Sequence, residues 1–91
     1  MKYEIVSSAR FKKDLKLAIK RGYNMNLMEK VVDTLASGNV LEAKHKDHAL
    51  SGEFIGCREC HITPDWLLIY EIDKGQLLLY LTRTGTHSDL F

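Results

Sequence analysis

The chain has 91 residues, of which 45% are hydrophobic and one is proline. This length and composition predict a single folded domain over residues 1–91 with one modest core, and they exclude a disordered protein. The basic N-terminal segment has no apolar run behind it, and no later stretch is long enough to span a bilayer. We therefore expect a cytoplasmic protein without membrane contact, in which the two cysteines are reduced.

The net charge of +1 conceals an asymmetry between the two halves of the chain. Residues 1–48 carry ten basic and six acidic side chains, whereas residues 49–91 carry three basic and six acidic ones. The positive charge is densest in "RFKKDLKLAIKR", a stripe that suits a polyanion such as nucleic acid, although a solvated helix face is the simpler explanation. The candidate contacts are Arg10, Lys12, Lys13, Lys16 and Lys20.

The N-terminal part of the chain predicts a short strand and two helices. The strand lies in "KYEIVSS", and Ser8 is the expected N-cap of the helix that follows. Apolar residues recur along this helix at i, i+4, i+7 and i+8, from Phe11 to Ile19, and Gly22 is expected to end it. A second amphipathic helix is predicted from about residue 26 to residue 37.

The C-terminal part of the chain predicts a meander of strands. The segment 40–56 is polar and irregular, and the runs "CRECHI", "WLLIYEI" and "QLLLYLTR" follow it. The middle run is apolar on both sides, as in a central strand, and "DKG" predicts the turn behind it. The order β-α-α-β-β-β therefore predicts an α+β fold, with two N-terminal helices packed on a small, mostly antiparallel β-sheet.

Three of the four histidines lie where a strand ends or the chain changes direction, namely His48, His61 and His87. Adjacent strands of a meander can bring such positions to one edge of the sheet, together with Asp65 and Arg83. Each residue also has a simpler explanation on its own, such as a loop histidine bonded to the backbone. The functional hypothesis depends on their joint position at one rim.

This set of side chains meets the chemical needs of RNA cleavage by internal transfer. The reaction needs a base for the 2′-OH proton, an acid for the departing 5′ oxygen, and positive charge beside the phosphorane. Imidazole can fill either proton role near neutral pH, Asp65 can orient one imidazole, and Arg83 can bind phosphate oxygens. Trp66 and Phe91 offer flat faces on which unpaired bases could stack, although such residues more often belong to a core.

The segment "CRECH" matches a C-x-x-C-H haem-attachment pattern, but the parity of a strand disfavours this hypothesis. Cys57 and Cys60 are three residues apart, so a strand points them to opposite faces. The same argument disfavours a zinc or redox site, and we expect no metal and no cofactor. Cys60 and Ile62 are predicted to face the core, with Glu59 and His61 on the other face. The fourth histidine, His45, is expected to be a surface residue.

The motifs "KDHAL", "GCRECHITPDWLLIY" and "RTGTHSDLF" together resemble the YafQ-type toxins of the RelE/ParE superfamily, which are bacterial toxin–antitoxin ribonucleases. The resemblance extends from about Tyr3 to Phe91, and "FKKDLKLAIKRG" is similar to the first helix of the family. It implies catalytic roles for His48, His61, Asp65 and His87. It implies positions beside them, in contact with the substrate, for Arg83, Trp66 and Phe91.

The resemblance also implies an activity and partners. Family members cleave mRNA in the ribosomal A site without a metal and are silenced by a cognate antitoxin. We therefore expect the ribosome, mRNA and a DinJ- or RelB-like antitoxin with a DNA-binding N-terminus as partners, with the basic first helix docked on ribosomal RNA. Which histidine is the acid and which the base stays open. The alternative hypothesis is a non-catalytic ParE-like toxin that inhibits a protein target such as gyrase.

Overall fold

The computed structural model describes every residue from Met1 to Phe91, and its helices and strands follow the predicted order with two additions, besides 3₁₀ turns at Ala43–His45 and Gly52–Phe54. The strands are β1 (Glu4–Ser7), β2 (His48–Ala49), β3 (Arg58–Thr63), β4 (Trp66–Asp73) and β5 (Leu78–Gly85). The helices are α1 (Ala9–Lys20), α2 (Met25–Ala36) and α3 (His87–Leu90). The additions are β2 and α3, which are too short to produce a periodic sequence pattern.

The five strands form one mixed sheet in the order β1-β5-β4-β3-β2. Strands β3, β4 and β5 form an antiparallel meander, β2 pairs antiparallel with β3, and β1 pairs parallel with β5. Strand β4 is therefore central, and its residues Trp66–Tyr70 are buried, as the continuous apolar run predicts. The predicted α+β fold with two N-terminal helices and a mostly antiparallel sheet is confirmed.

Local capping signals set the limits of the two long helices. The side chain of Ser8 accepts a hydrogen bond from the backbone N–H of Phe11 (2.9 Å), which confirms it as the N-cap of α1. Gly22 follows the end of α1 with a φ of +80°, a conformation that favours glycine. The side chain of Asn24 caps α2 in turn by accepting from the N–H of Asn26 (3.0 Å). The chain therefore reverses between the two helices within a few residues.

The main core lies between the two long helices and one face of the sheet. Most residues of the predicted apolar stripes are buried there, including Phe11, Ala18 and Val31. Ile19 is an exception, because it is 57% exposed. Eight residues of α-helix turn Ile19 about 80° away from Phe11, to the border of the buried stripe. None of the helices combines the length and the apolar character that crossing a membrane requires.

A second, smaller apolar cluster lies apart from the main core. It consists of Leu67, Ile69 and Leu90, with Phe54 and Cys57 packed against it, and it attaches α3 to the sheet through Leu90. Strand β4 connects the two regions, because its side chains alternate between the two faces of the sheet, with Leu68 in the main core and Leu67 and Ile69 in the small cluster.

The predicted parity of β3 is confirmed. Cys60 and Ile62 belong to the main core, so Glu59 and His61 point to the other face. Cys57 lies beside the small cluster instead of in the main core with Cys60. The face of the sheet that α1 and α2 leave open therefore carries Glu59 and His61.

The two cysteines should differ in reactivity. Cys60 is fully buried, and burial raises the pKa of its thiol to about 12. Burial also raises the pKa of the Cys57 thiol, but this side chain is partly exposed. We expect the thiol reagent DTNB to modify one thiol per native chain at mildly alkaline pH, and both thiols in denaturant. Cys57→Ala should leave no reactive thiol in the native state. Rapid modification of both thiols in the native protein would contradict the position of Cys60.

Candidate active site

The centre of the candidate site is the carboxylate of Glu59, which lies between two imidazoles. Its Oε1 is 3.7 Å from Nε2 of His48 and 3.8 Å from Nε2 of His61, distances beyond hydrogen-bond length. The strand register explains this arrangement, because His48 in β2 pairs with Glu59 in β3 and His61 follows two residues later on the same face. The Glu59 side chain is 8% exposed, and the imidazoles cover it from two sides.

Backbone carbonyls determine the tautomers of these two imidazoles. Nδ1 of His48 donates to the carbonyl oxygen of Lys46 (2.7 Å), and Nδ1 of His61 donates to that of Pro64 (3.3 Å). Because a carbonyl oxygen can only accept, the proton of each neutral ring is on Nδ1 and each Nε2 has a free lone pair. Either Nε2 can therefore take up a proton, and the resulting imidazolium then faces the Glu59 carboxylate.

The segment that carries His48 is held by a network of polar side chains. The carboxylate of Asp47 accepts from the hydroxyl of Tyr70 (2.7 Å) and from Nε of Arg58 (3.1 Å). Burial and the hydrogen bond to Asp47 raise the pKa of the Tyr70 hydroxyl, so this hydroxyl stays a donor at neutral pH. Lys46, the residue before Asp47 and His48, has a left-handed backbone conformation with a φ of +47°. These contacts fix the turn into β2 and with it the direction of His48.

His61, Asp65 and His87 line one open depression of about 650 Å³. The register again explains the arrangement, because His61 pairs with Leu67 of β4 and Leu67 pairs with Gly85 of β5. His87 follows Gly85 by two residues, and Asp65 lies in the turn between β3 and β4. The structure thus brings the predicted histidines and aspartate to one region, with His48 facing His61 across Glu59.

Phe91 lies beside this depression through its contact with His87. The two rings have centroids 5.0 Å apart and planes inclined at 32°. On another side the Phe91 ring meets the ring of Phe54 in an edge-to-face contact at 5.8 Å. Phe91 is nevertheless 55% exposed, so part of its surface remains open to a flat ligand.

The guanidinium of Arg83 is engaged outside the histidine depression. It forms a two-pronged ion pair with Asp14 of α1, from Nε at 2.7 Å and from Nη2 at 3.1 Å. Arg83 does share a cross-strand row with Glu59, because Ile69 pairs with both residues. Two of its five N–H donors are used by Asp14, and the other three remain.

Two expectations about site residues need correction. Trp66 does not offer a face for base stacking, because it is 3% exposed and donates its indole N–H to the hydroxyl of Thr84 (2.8 Å). Tyr23 packs against the Trp66 ring, with centroids 4.9 Å apart, and lines the depression in its place. His45 is more than a surface residue, since it is half-buried and its Nδ1 donates to the carbonyl oxygen of His61 (2.6 Å).

The basic stripe of α1 faces solvent. All five of its predicted contact residues are exposed, and none forms an ion pair within the chain. They are Arg10, Lys12, Lys13, Lys16 and Lys20. Asp14, the acid within the stripe, is occupied by Arg83, so the outer surface of α1 is positively charged.

The sequence motifs assign no role to Glu59, Tyr23 or Asp47. A signal existed for Glu59, because an acid two residues from His61 on the uncovered face of a strand has to lie beside it. Tyr23 and Asp47 gave no such signal. Their contacts are with residues distant in sequence, because Tyr23 before α2 packs on Trp66 of β4 and Asp47 before β2 accepts from Tyr70 of β4.

The fold and the site together define a small α+β toxin domain of the RelE/ParE type, the class that the sequence motifs indicate. A family model described as "bacterial toxin of type II toxin-antitoxin system, YafQ" matches residues 3–91. The chain therefore belongs to the YafQ family of bacterial type II toxins.

Individual relatives agree with this assignment over almost their whole length. The mRNA interferase toxin YafQ of Escherichia coli K12 is 43% identical over 90 residues, which cover 97% of this chain and 95% of that protein. A metal-bound toxin from Helicobacter pylori is 46% identical with a TM-score of 0.92, covering 98% and 99% of the two chains. The toxin structure from the E. coli DinJ–YafQ toxin–antitoxin complex is 40% identical with a TM-score of 0.88, covering 100% and 99%.

These comparisons confirm the predicted family. The predicted activity, mRNA cleavage, is the activity for which the E. coli relative is named. The Helicobacter relative is described as metal-bound. In the present chain no group of three or more histidine, cysteine or acidic side chains is arranged to hold a metal ion.

The Asp47 network predicts a measurable contribution from Tyr70. Tyr70→Phe keeps the buried ring and removes the hydroxyl that donates to Asp47. We expect the free energy of unfolding to fall by about 1 kcal/mol, and Tm by about 4–8 °C, in urea and thermal unfolding. Tyr80→Phe is the matched control, because the Tyr80 ring is only half-buried and its hydroxyl has no hydrogen bond within the chain. Equal losses in the two variants would contradict the role of the network.

Proposed function

We propose that this protein is the toxin of a type II toxin–antitoxin pair and an endoribonuclease that cleaves mRNA in the ribosomal A site. The observation that carries the proposal is the position of Glu59, a nearly buried carboxylate flanked by two imidazoles. Burying a charge is costly unless it has a partner, so this arrangement is better suited to stabilising a transient imidazolium than to packing. Family membership and the mRNA interferase activity of the E. coli relative support the same conclusion.

His61 is the general base in this proposal. Its Nε2 has the free lone pair, and it lines the depression that His87 also lines. Nε2 takes the proton of the ribose 2′-OH, the oxygen attacks the adjacent phosphorus, and the imidazolium that forms is stabilised by Glu59. Asp65 lies at the same depression and supports the cationic form of His61. His48 lies on the far side of Glu59, and its protonated form would face the same carboxylate.

His87 is the general acid. Its imidazole lines the same depression as His61 and makes no hydrogen bond within the chain, so its ring nitrogens are available to the substrate. In the protonated form it gives its proton to the departing 5′ oxygen, so the 2′,3′-cyclic phosphate and the free 5′-OH form without net consumption of protons.

Arg83 and Phe91 hold the substrate. Arg83 lies outside the histidine depression and keeps three N–H donors while Asp14 fixes its plane, so it can donate to a neighbouring phosphate of the message without losing its ion pair. The open surface of Phe91 can stack on an unpaired base, which contributes about 1–3 kcal/mol. Stacking requires a base that is free of a duplex, which suits a message held single-stranded on the ribosome.

The proposal includes two macromolecular partners besides mRNA. The exposed basic stripe of α1 suits ribosomal RNA phosphates, because its cations have no partners within the chain. The second partner is a cognate antitoxin of DinJ or RelB type with a DNA-binding N-terminus. The complex that E. coli YafQ forms with DinJ supports this inference.

The catalytic assignment predicts the effect of removing each imidazole. His61→Ala and His87→Ala should each lower mRNA cleavage by about 100-fold or more, because each removes one proton-transfer step. The measurement is 5′-end mapping of messages after induced expression, and wild-type cuts should lie inside codons of translated messages. Thermal unfolding should change little, since neither side chain belongs to a core cluster. Asp33→Asn, at an exposed position of α2, is the control. Undiminished cleavage by both histidine variants would overturn the assignment.

The docking surface predicts a dependence on charge and salt. The triple substitution Lys12→Gln, Lys13→Gln and Lys16→Gln should weaken cosedimentation with ribosomes and flatten its dependence on salt concentration. The matched control replaces Lys30, Lys44 and Lys74 by glutamine, which removes the same charge from exposed positions outside α1. Equal weakening in both triple variants would mean that only net charge matters and that α1 is not the docking surface.

A further inference from the structure

We propose that Arg21 and Asp89 form a clamp that sets the position of His87 and Phe91 for cleavage, a role that rests on the function proposed above. Arg21 follows the last residue of α1, and Asp89 lies in α3. Nη1 of Arg21 donates to Oδ2 of Asp89 at 2.6 Å, and Nη2 donates to Oδ1 at 3.2 Å. This two-pronged contact fixes both the distance and the orientation between the two elements.

The Asp89 carboxylate also holds the start of its own helix. Its Oδ2 accepts from the backbone N–H of Thr86 (2.9 Å), while the Thr86 hydroxyl accepts from the N–H of Asp89 (3.2 Å), which completes a capping box. Arg21 and the Thr86 N–H hold the pKa of Asp89 well below its usual range. A Cβ at Gly85 would lie 3.0 Å from Oδ2 of Asp89, so the absence of a side chain there lets the carboxylate approach.

Helix α3 needs such an attachment because it has only four residues. A single helical turn is not stable alone, since its nucleation cost exceeds the gain from one or two hydrogen bonds. Leu90 ties one side of α3 to the small apolar cluster, and the clamp ties another side to α1. His87 begins α3 and Phe91 follows it, so a rotation of this turn displaces both rings. A displacement of about 1 Å can cost about 100-fold in rate.

The clamp should influence position more than stability. The Arg21 and Asp89 side chains are 35% and 27% exposed, and ion pairs at such positions contribute little to the free energy of unfolding. Arg21 also adjoins the basic stripe of α1, so its alternative role is a contact with RNA. Removing the charge of Asp89 distinguishes the two roles. It would strengthen a contact between Arg21 and RNA, because Arg21 would lose a competing anion, but it would weaken a clamp.

The test compares Arg21→Gln, Asp89→Asn and the double variant in single-turnover cleavage of a defined mRNA on ribosomes. Each single variant should lower the cleavage rate by about tenfold. The double variant should be no slower than the singles, because each substitution already opens the clamp. Ribosome binding should change by less than about twofold. Lys30→Gln and Asp33→Asn make the same charge changes on α2 and should cleave like the wild type.

A second measurement does not depend on catalysis. The ring resonances of His87 and Phe91 in NMR spectra should shift in both single variants, whereas those of His48 should not. The clamp is overturned if these resonances stay in place, if both variants cleave at the wild-type rate, or if Arg21→Gln alone slows cleavage. If the wild type does not cleave mRNA on ribosomes, the proposed function fails, and the resonances still decide whether the pair positions α3.

Discussion

The alternation of side chains along β3 is the constraint on which the site depends. The main core requires Cys60 and Ile62, so Glu59 and His61 have to project from the other face of the sheet. A slip of one residue would bury both polar side chains and expose the apolar ones. The energy of the core therefore determines the direction of the candidate catalytic groups. Strands β2 and β4 pair with β3 in a fixed register, and this pairing brings His48 and the neighbours of His61 to the same area.

The elements that complete the site are held by polar contacts more than by apolar burial. Strand β2 has two residues, both exposed, and its approach is fixed by Asp47 with Tyr70 and Arg58. Helix α3 has one buried residue, Leu90, and is otherwise held by Asp89. Each polar contact of this kind adds about 1 kcal/mol or less to global stability, but it is directional. A small domain can thus keep one modest core and still orient several imidazoles within a narrow region.

The sequence could predict what periodicity and strand parity determine. The helix limits at Ser8 and Gly22 and the opposite faces of Cys57 and Cys60 follow from local rules, and the structure agrees with them. The contact between Trp66 and Tyr23 could not be derived in this way, since Tyr23 lies in another segment. The ion pair between Arg83 and Asp14 spans 69 positions, and no pattern in either segment indicates it.

The engagement of Arg83 by Asp14 bears on how a phosphate can be bound at low cost. A free arginine loses much side-chain freedom when it binds, and that loss reduces the affinity gained. Here Asp14 has already fixed the plane of the guanidinium, and it also accepts from the backbone N–H of Thr84 (3.1 Å), which anchors the acid itself. Helix α1 therefore supports the site through two ion pairs. Asp14 binds Arg83 of β5, and Arg21, which follows the helix, binds Asp89 of α3. The exposed side of α1 carries the cations that have no partner within the chain. A single helix then links the exposed basic stripe to the elements that carry the candidate site.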